Sequence, residues 1–169
     1  MPKLGKKLSG FTLIELLVVI GILAILLTIV LIAINPARQF AQSNNTRRRS
    51  DINAMLNAIH QYSVDHRGVI TDLNIPIDDP LTPLVSEATE IETDDAVAPA
   101  EPDLCLLLVP TYISALPVDP QNGNGTAISD CSVPYTTNYY VVQSVLTNNT
   151  RITVSAPGAE LGEVIDVTR

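Results

Sequence analysis

Apolar and polar positions divide the chain sharply along its length. The 24 residues from Phe11 to Ile34 are apolar almost without interruption, and Glu15 is their one charge. At ~1.5 Å per residue such a helix is about 36 Å long, enough to cross a hydrocarbon core of about 30 Å. Asn35-Pro36 ends the run. Proline in a helix interior removes a hydrogen bond and clashes with the preceding turn, so a bend or break is expected at Pro36, with Asn35 able to cap a new helix. Beyond it Phe40, Ala41, Ile52, Met55, Leu56, Ile59, Tyr62 and Ser63 fall largely at spacings of three and four, which predicts an amphipathic helix stopping near Gly68.

The pattern changes again after Gly68. Residues 72 to 103 hold ten acids, no base and five prolines, and neither helical nor strand periodicity survives there. A long solvated loop is expected. Leu104 to Val109 predicts a short helix or buried strand. Asn138 to Val145, Arg151 to Ser155 and Glu163 to Thr168 are rich in valine, isoleucine, tyrosine and threonine and predict strands, with a turn at Thr147 to Thr150. The expected fold class is α+β: a long hydrophobic amino-terminal helix with a small antiparallel β-sheet head packed on its carboxyl-terminal half. The expected parts are 1–10, a leader; 11–34, the apolar helix; 35–68, the amphipathic helix; and 69–169, the head with its acidic loop.

Charge sharpens this division. The chain has 169 residues and a net charge of -8, yet residues 69 to 169 carry fifteen acids against only Arg151 and Arg169. A head of that sign repels phosphate. Length excludes a large multidomain enzyme, and two cysteines exclude a disulfide-rich toxin. A secretory signal fits poorly, because the apolar run is too long and lacks a small-x-small cleavage site. Lys3, Lys6 and Lys7 on one side are nearly balanced by Arg38 and Arg47 to Arg49 on the other, so positive-inside counting does not set the orientation.

Glu15 fits an anchor badly. A carboxylate at the centre of a bilayer costs roughly 2.5 to 3.5 kcal/mol on insertion scales and calls for a partner. No cation lies within the run. One would be created by cutting after Gly10, since the new amine on Phe11 would sit one helical turn from Glu15. If several such helices pack together, Glu15 of one copy can pair with the Phe11 amine of the next, and the charge then sets the register of assembly.

Lys7-Leu8-Ser9-Gly10 followed by Phe11-Thr12-Leu13-Ile14-Glu15-Leu16-Leu17-Val18-Val19-Ile20 resembles the cleavage and methylation segment of type IV pilins and type II secretion pseudopilins. The resemblance implies a leader in the cytoplasm, a head outside, and a prepilin peptidase that cuts after Gly10 and methylates the amine of Phe11. It also implies docking through Glu15 into a filament of like subunits, raised from an inner-membrane pilus or secretion assembly platform among membrane lipids, with Pro36 allowing local unwinding.

The head carries a second, local resemblance. Leu116-Pro117-Val118-Asp119-Pro120, with Pro134-Tyr135 and Tyr139-Tyr140-Val141, resembles the Pro-x-Asp-Pro and Pro-Tyr signature of major pseudopilins, although the tryptophan that commonly follows Asp-Pro is missing. In that family the following loop binds calcium, and here Asp119, Asn122, Asn124 and Asp130 would supply oxygen ligands; a plain Asn-Gly turn explains the same residues. Cys105 and Cys131 bracket this loop. In an exported head they read as a disulfide, the other reading being two buried thiols in a cytosolic domain.

Arg47, Arg48 and Arg49 read first as a solvated basic patch, and more sharply as a contact for an adjacent acidic head or for DNA. His60 and His66 are about 240° apart on a helix and do not share a metal-binding face. No Gly-x-Ser-x-Gly, His-Glu-x-x-His or phosphate-cradling loop occurs, so the leading reading is a noncatalytic filament subunit. Two others stay open: a single-pass anchored binding domain, and an adhesion or DNA-uptake minor pilin.

Overall fold

The computed structural model describes residues 10–78, 88–93, 102–121, 125–146 and 149–169. Its contacts divide the chain into two units, Met1–Phe40 and Ala41–Arg169.

In the first unit α1 spans Leu13–Ile34. It is apolar on every side, and none of its residues is buried among the described residues. At ~1.5 Å per residue its 22 residues reach about 33 Å. Asn35 ends α1 with a left-handed backbone, φ 46°. Its Oδ1 then accepts from Arg38 N at 3.3 Å, and Pro36 is the first residue of α2, Pro36–Asp65. The missing N–H of Pro36 costs nothing at a first helical position. The expected break is therefore a cap followed by a restart.

The second unit is the head. The buried side chains of α2 within it are Ala41, Asn45, Arg48, Ile52, Met55, Leu56, Ala58, Ile59 and Tyr62, a stripe repeating every three or four residues. The helix ends as expected near Gly68, whose φ is 86°, with Arg67 before it also at positive φ. Arg67 has φ 55° and donates to Val64 O, while Gly68 donates to Ser63 O at 2.7 Å, a paired closure that satisfies two terminal carbonyls.

A 3₁₀ turn at Thr71–Leu73 leads into the sheet, whose strands are β1 Ile77–Asp78, β2 Thr89–Thr93, β3 Tyr135–Leu146, β4 Asn149–Ser155 and β5 Asp166–Thr168. The three later strands match the sequence reading. The pairs β3–β4 (Tyr140 opposite Ser155) and β4–β5 (Val154 opposite Val167) are antiparallel. The sheet is nevertheless mixed, a correction to the wholly antiparallel expectation, because β1 runs parallel to β3 with Ile77 opposite Gln143. A two-residue strand behind Pro76 is too short to show a periodicity.

The acidic segment also needs correcting. Residues 89–93 form a strand on β3, with Ile91 fully buried between flanking threonines and glutamates. Glu90 explains why an acid belongs there. Its Oε1 accepts from Asn138 N at 2.8 Å and from the Thr136 hydroxyl, spanning an irregularity where Asn138 adopts φ 57°. Asparagine tolerates that conformation, and strand alternation continues across the irregularity, with Tyr135, Thr137, Tyr139 and Val141 all buried.

α3, Cys105–Leu108, resolves the Leu104 to Val109 alternatives as helix. Asp103 Oδ1 accepts from Cys105 N at 3.1 Å and from the Tyr135 hydroxyl at 2.8 Å, tying α3 to the first residue of β3. Burial, reinforced by Asp103, pushes the Tyr135 phenol well above its ordinary value. Cys105 and Cys131 form a disulfide with Cα atoms 5.5 Å apart. The core joins Ile52, Met55 and Ile59 of α2 to Tyr139, Val141, Ile152 and Val154 of the sheet, with Leu104 and Leu108 closing one end. The Thr147 to Thr150 turn lies partly outside the described residues, and β4 already begins at Asn149.

Candidate assembly site and the head cluster

Gly10 and Phe11 precede α1, and the Phe11 side chain is 93% exposed. Thr12 is the N-cap. Its hydroxyl accepts from Glu15 N at 3.3 Å, while Glu15 Oε2 accepts from Thr12 N at 2.8 Å and from the Thr12 hydroxyl at 2.7 Å. This reciprocal capping box satisfies donors that a helix start leaves unpaired, and a negative group there also favours the helix dipole. Glu15 thus has a local neutral partner within the uncut chain and a fixed position in the first turn. Sequence reasoning passed over Thr12, although Thr-x-x-Glu ahead of an apolar run carries the signal.

The second arrangement lies in the head and centres on Arg48. The solvated-patch reading of Arg47, Arg48 and Arg49 is wrong for Arg48, whose side chain is 0% exposed. Its Nε donates to Asp119 Oδ2 at 2.6 Å and its Nη2 to Asp119 Oδ1 at 2.9 Å. Its Nη1 donates to Asn45 Oδ1 and to Glu160 Oε2, both at 3.0 Å. The two other arginines turn to separate partners: Arg47 bonds Gly125 O and lies 3.7 Å from Asp51, and Arg49 pairs with Glu163. The three do not pool their charge, because each is matched within its own head. The missed signal was position, since Arg48 falls in register with Ala41, Asn45 and Ile52 on the buried stripe.

The network extends to both sides of Glu160. Asn45 Nδ2 donates to Glu160 O and Glu160 N donates back to Asn45 Oδ1, each at 2.9 Å. Asn44 Nδ2 reaches Glu160 Oε2 at 2.8 Å. The hydrogen bonds from Asn44 and Arg48 hold the Glu160 carboxyl below its ordinary value. Asp119 raises the Arg48 guanidinium above its own. A charged hydrogen bond with both partners buried is strong only when the geometry is complete, and the bidentate fork meets that condition. Nearby, burial raises the Asp51 carboxyl, partly opposed by a 2.8 Å bond from the Tyr139 hydroxyl.

Of the four residues expected as calcium ligands, the two described, Asp119 and Asp130, are each bonded elsewhere. Asp119 is 3% exposed and committed to Arg48 and to Gln121 N. Asp130 is exposed, with Oδ1 accepting from Ser132 N at 3.0 Å and from its hydroxyl at 2.6 Å. Asn122 and Asn124 lie outside the described residues. Among the described residues no three His, Cys, Asp or Glu side chains are grouped to hold a metal ion. The histidines stay apart in their contacts: His66 stacks on Tyr62 with ring centres 3.9 Å apart, while His60 Nε2 is buried and has no hydrogen-bond partner among the described residues.

Residues 5–31 match the family described as the prokaryotic N-terminal methylation motif, the prepilin signal of type IV pilins and pseudopilins. The match covers Gly10, Phe11, Thr12, Glu15 and most of α1, and stops short of the head. Neither the curated proteins nor the solved structures give a match to the chain.

Proposed function

We propose that this chain, which carries a prepilin signal on an uncovered apolar helix, is a structural subunit of a type IV pilus or pseudopilus. Its precursor spans the membrane once, leader inside and head outside. A prepilin peptidase cuts after Gly10 and methylates Phe11. The single observation that carries the reading is the methylation-motif match at 5–31 lying over a helix with no buried residue.

The chemistry follows from the first turn. Cutting after Gly10 places a cationic amine beside a carboxylate already oriented by Thr12. Within one chain the pair offsets the cost of an amine at the positive end of a helix. Between chains, Glu15 of an incoming copy meets the Phe11 amine of the copy before it, and packing covers the apolar surface that α1 leaves open. Misregistered helices would leave both charges unpaired in hydrocarbon, which is the penalty that selects one stagger.

The DNA-uptake reading loses its basis in the head, where Arg47, Arg48 and Arg49 bond within the chain. The single-pass anchor reading predicts an intact leader. Mass spectrometry of the chain purified from membranes separates the two. A mature form beginning at N-methylated Phe11 is expected, and a chain beginning at Met1 contradicts the proposal.

A further inference from the structure

The pseudopilin resemblance implies calcium in the loop after Asp119-Pro120, and the two carboxylates of that set among the described residues, Asp119 and Asp130, do not fit it. Calcium takes roughly six to eight oxygens at about 2.3 to 2.6 Å, which must converge on one point. Asp119 directs both of its oxygens at the Arg48 guanidinium, at 2.6 and 2.9 Å, and uses Oδ1 again for Gln121 N at 2.9 Å. A divalent ion on that carboxylate would displace a cation that cannot deprotonate or sit against it. Both outcomes are unfavourable where Arg48 is 0% and Asp119 3% exposed. Asp130 Oδ1 is occupied by Ser132, accepting from its N and its hydroxyl.

We infer that an internal guanidinium does the work of the metal: Arg48, reaching out of α2, clamps the Asp119 loop, and this head folds without calcium. The fork has what a metal would otherwise supply. It is a positive charge fixed by Asn45, shared with Glu160, and bidentate on the carboxylate. It also reaches across the sequence, from α2 to the loop following Pro117 and to the segment after β4, so one side chain fastens three parts of the head. Gly158 completes the fit, because a Cβ there would lie 2.9 Å from Asp119 Oδ2 and 3.5 Å from Arg48 Nη2. The surroundings are shaped to the pair.

The test uses the full oxidised chain in detergent micelles, with thermal unfolding followed by circular dichroism in excess EDTA and in millimolar calcium. The midpoints are expected to coincide for the wild type. Arg48→Met is expected to lower the midpoint equally in both buffers, and Arg48→Lys, which keeps the charge without the fork, to lower it by less. If Arg48→Met does not fold, the wild type and Arg48→Lys still decide the matter. A wild-type midpoint raised by calcium, calcium binding in titration calorimetry that Asp119→Asn removes, or Arg48 variants as stable as the wild type would each overturn the inference.

Discussion

A methyl group added at position 158 would meet the Asp119 carboxylate at 2.9 Å, and that carboxylate is pinned by the Arg48 fork. A flexible neighbour could yield, but this one cannot move without losing a buried charged hydrogen bond. Gly158→Ala is therefore expected to cost about 1 to 3 kcal/mol, the range of overpacking in a well-fitted site. Denaturant midpoints measure it, and an unchanged midpoint would mean the pair is looser than its distances imply. Glu160 gives the same cluster a pH dependence. Its folded carboxyl titrates below the ordinary value of 4.5, so on acidification the unfolded chain takes up the proton first. The stability it contributes is complete above that ordinary value and is lost as pH falls through the folded one. The stability gap between wild type and Glu160→Gln should then be widest near neutrality and narrow in acid. Asp51, whose carboxyl is raised by burial, works in the opposite sense, so Asp51→Asn should make acid destabilisation steeper. A gap for Glu160→Gln that is constant from neutral to acid pH would contradict the cluster's electrostatics. Arg48 itself shows why residue chemistry alone misled: three consecutive arginines suggest a patch, and only their helical phase shows that the middle one points inward.

Among the elements, legibility followed the length and clarity of the pattern. α1 and the buried stripe of α2 are long repeats, and Asn35-Pro36 carries its own stop and start chemistry. β3 and β4 declared themselves through β-branched and aromatic alternation. β2 was hidden because its sequence, Thr-Glu-Ile-Glu-Thr, buries only Ile91 and sits among acids, and its place depends on Glu90 closing over the distant Asn138. No local window contains that contact. The capping box at Thr12 is legible as Thr-x-x-Glu directly ahead of an apolar run. The disulfide joins Cys105 of α3 to Cys131, 26 residues along the chain. In the chain-entropy view, closing a loop of this size contributes about 3 to 4 kcal/mol. Replacing both Cys105 and Cys131 by alanine should lower the unfolding free energy by roughly that amount, as read from chemical denaturation. A loss near zero would mean that the loop is already held by the Arg48 cluster and the Leu116–Ile128 bridge.

At the scale of the whole molecule the two units have opposite needs. The head closes its own core around α2 and the sheet, whereas α1 buries nothing and must find cover from lipid or from other copies. That asymmetry, with a methylation motif at the start of the apolar unit, is the physical case for assembly. The head's identity was less legible, because its residues match a pattern only locally and its decisive cluster joins positions 48, 119 and 160. The account comes to rest on Glu15, and one measurement reaches it directly: recovery of sheared filaments from cells producing Glu15→Ala in place of the wild-type chain, with the membrane fraction assayed in parallel. The account predicts a chain that is inserted, cut after Gly10 and present at normal levels in the membrane, yet absent from the filament fraction. Filaments of normal abundance built from Glu15→Ala would contradict it.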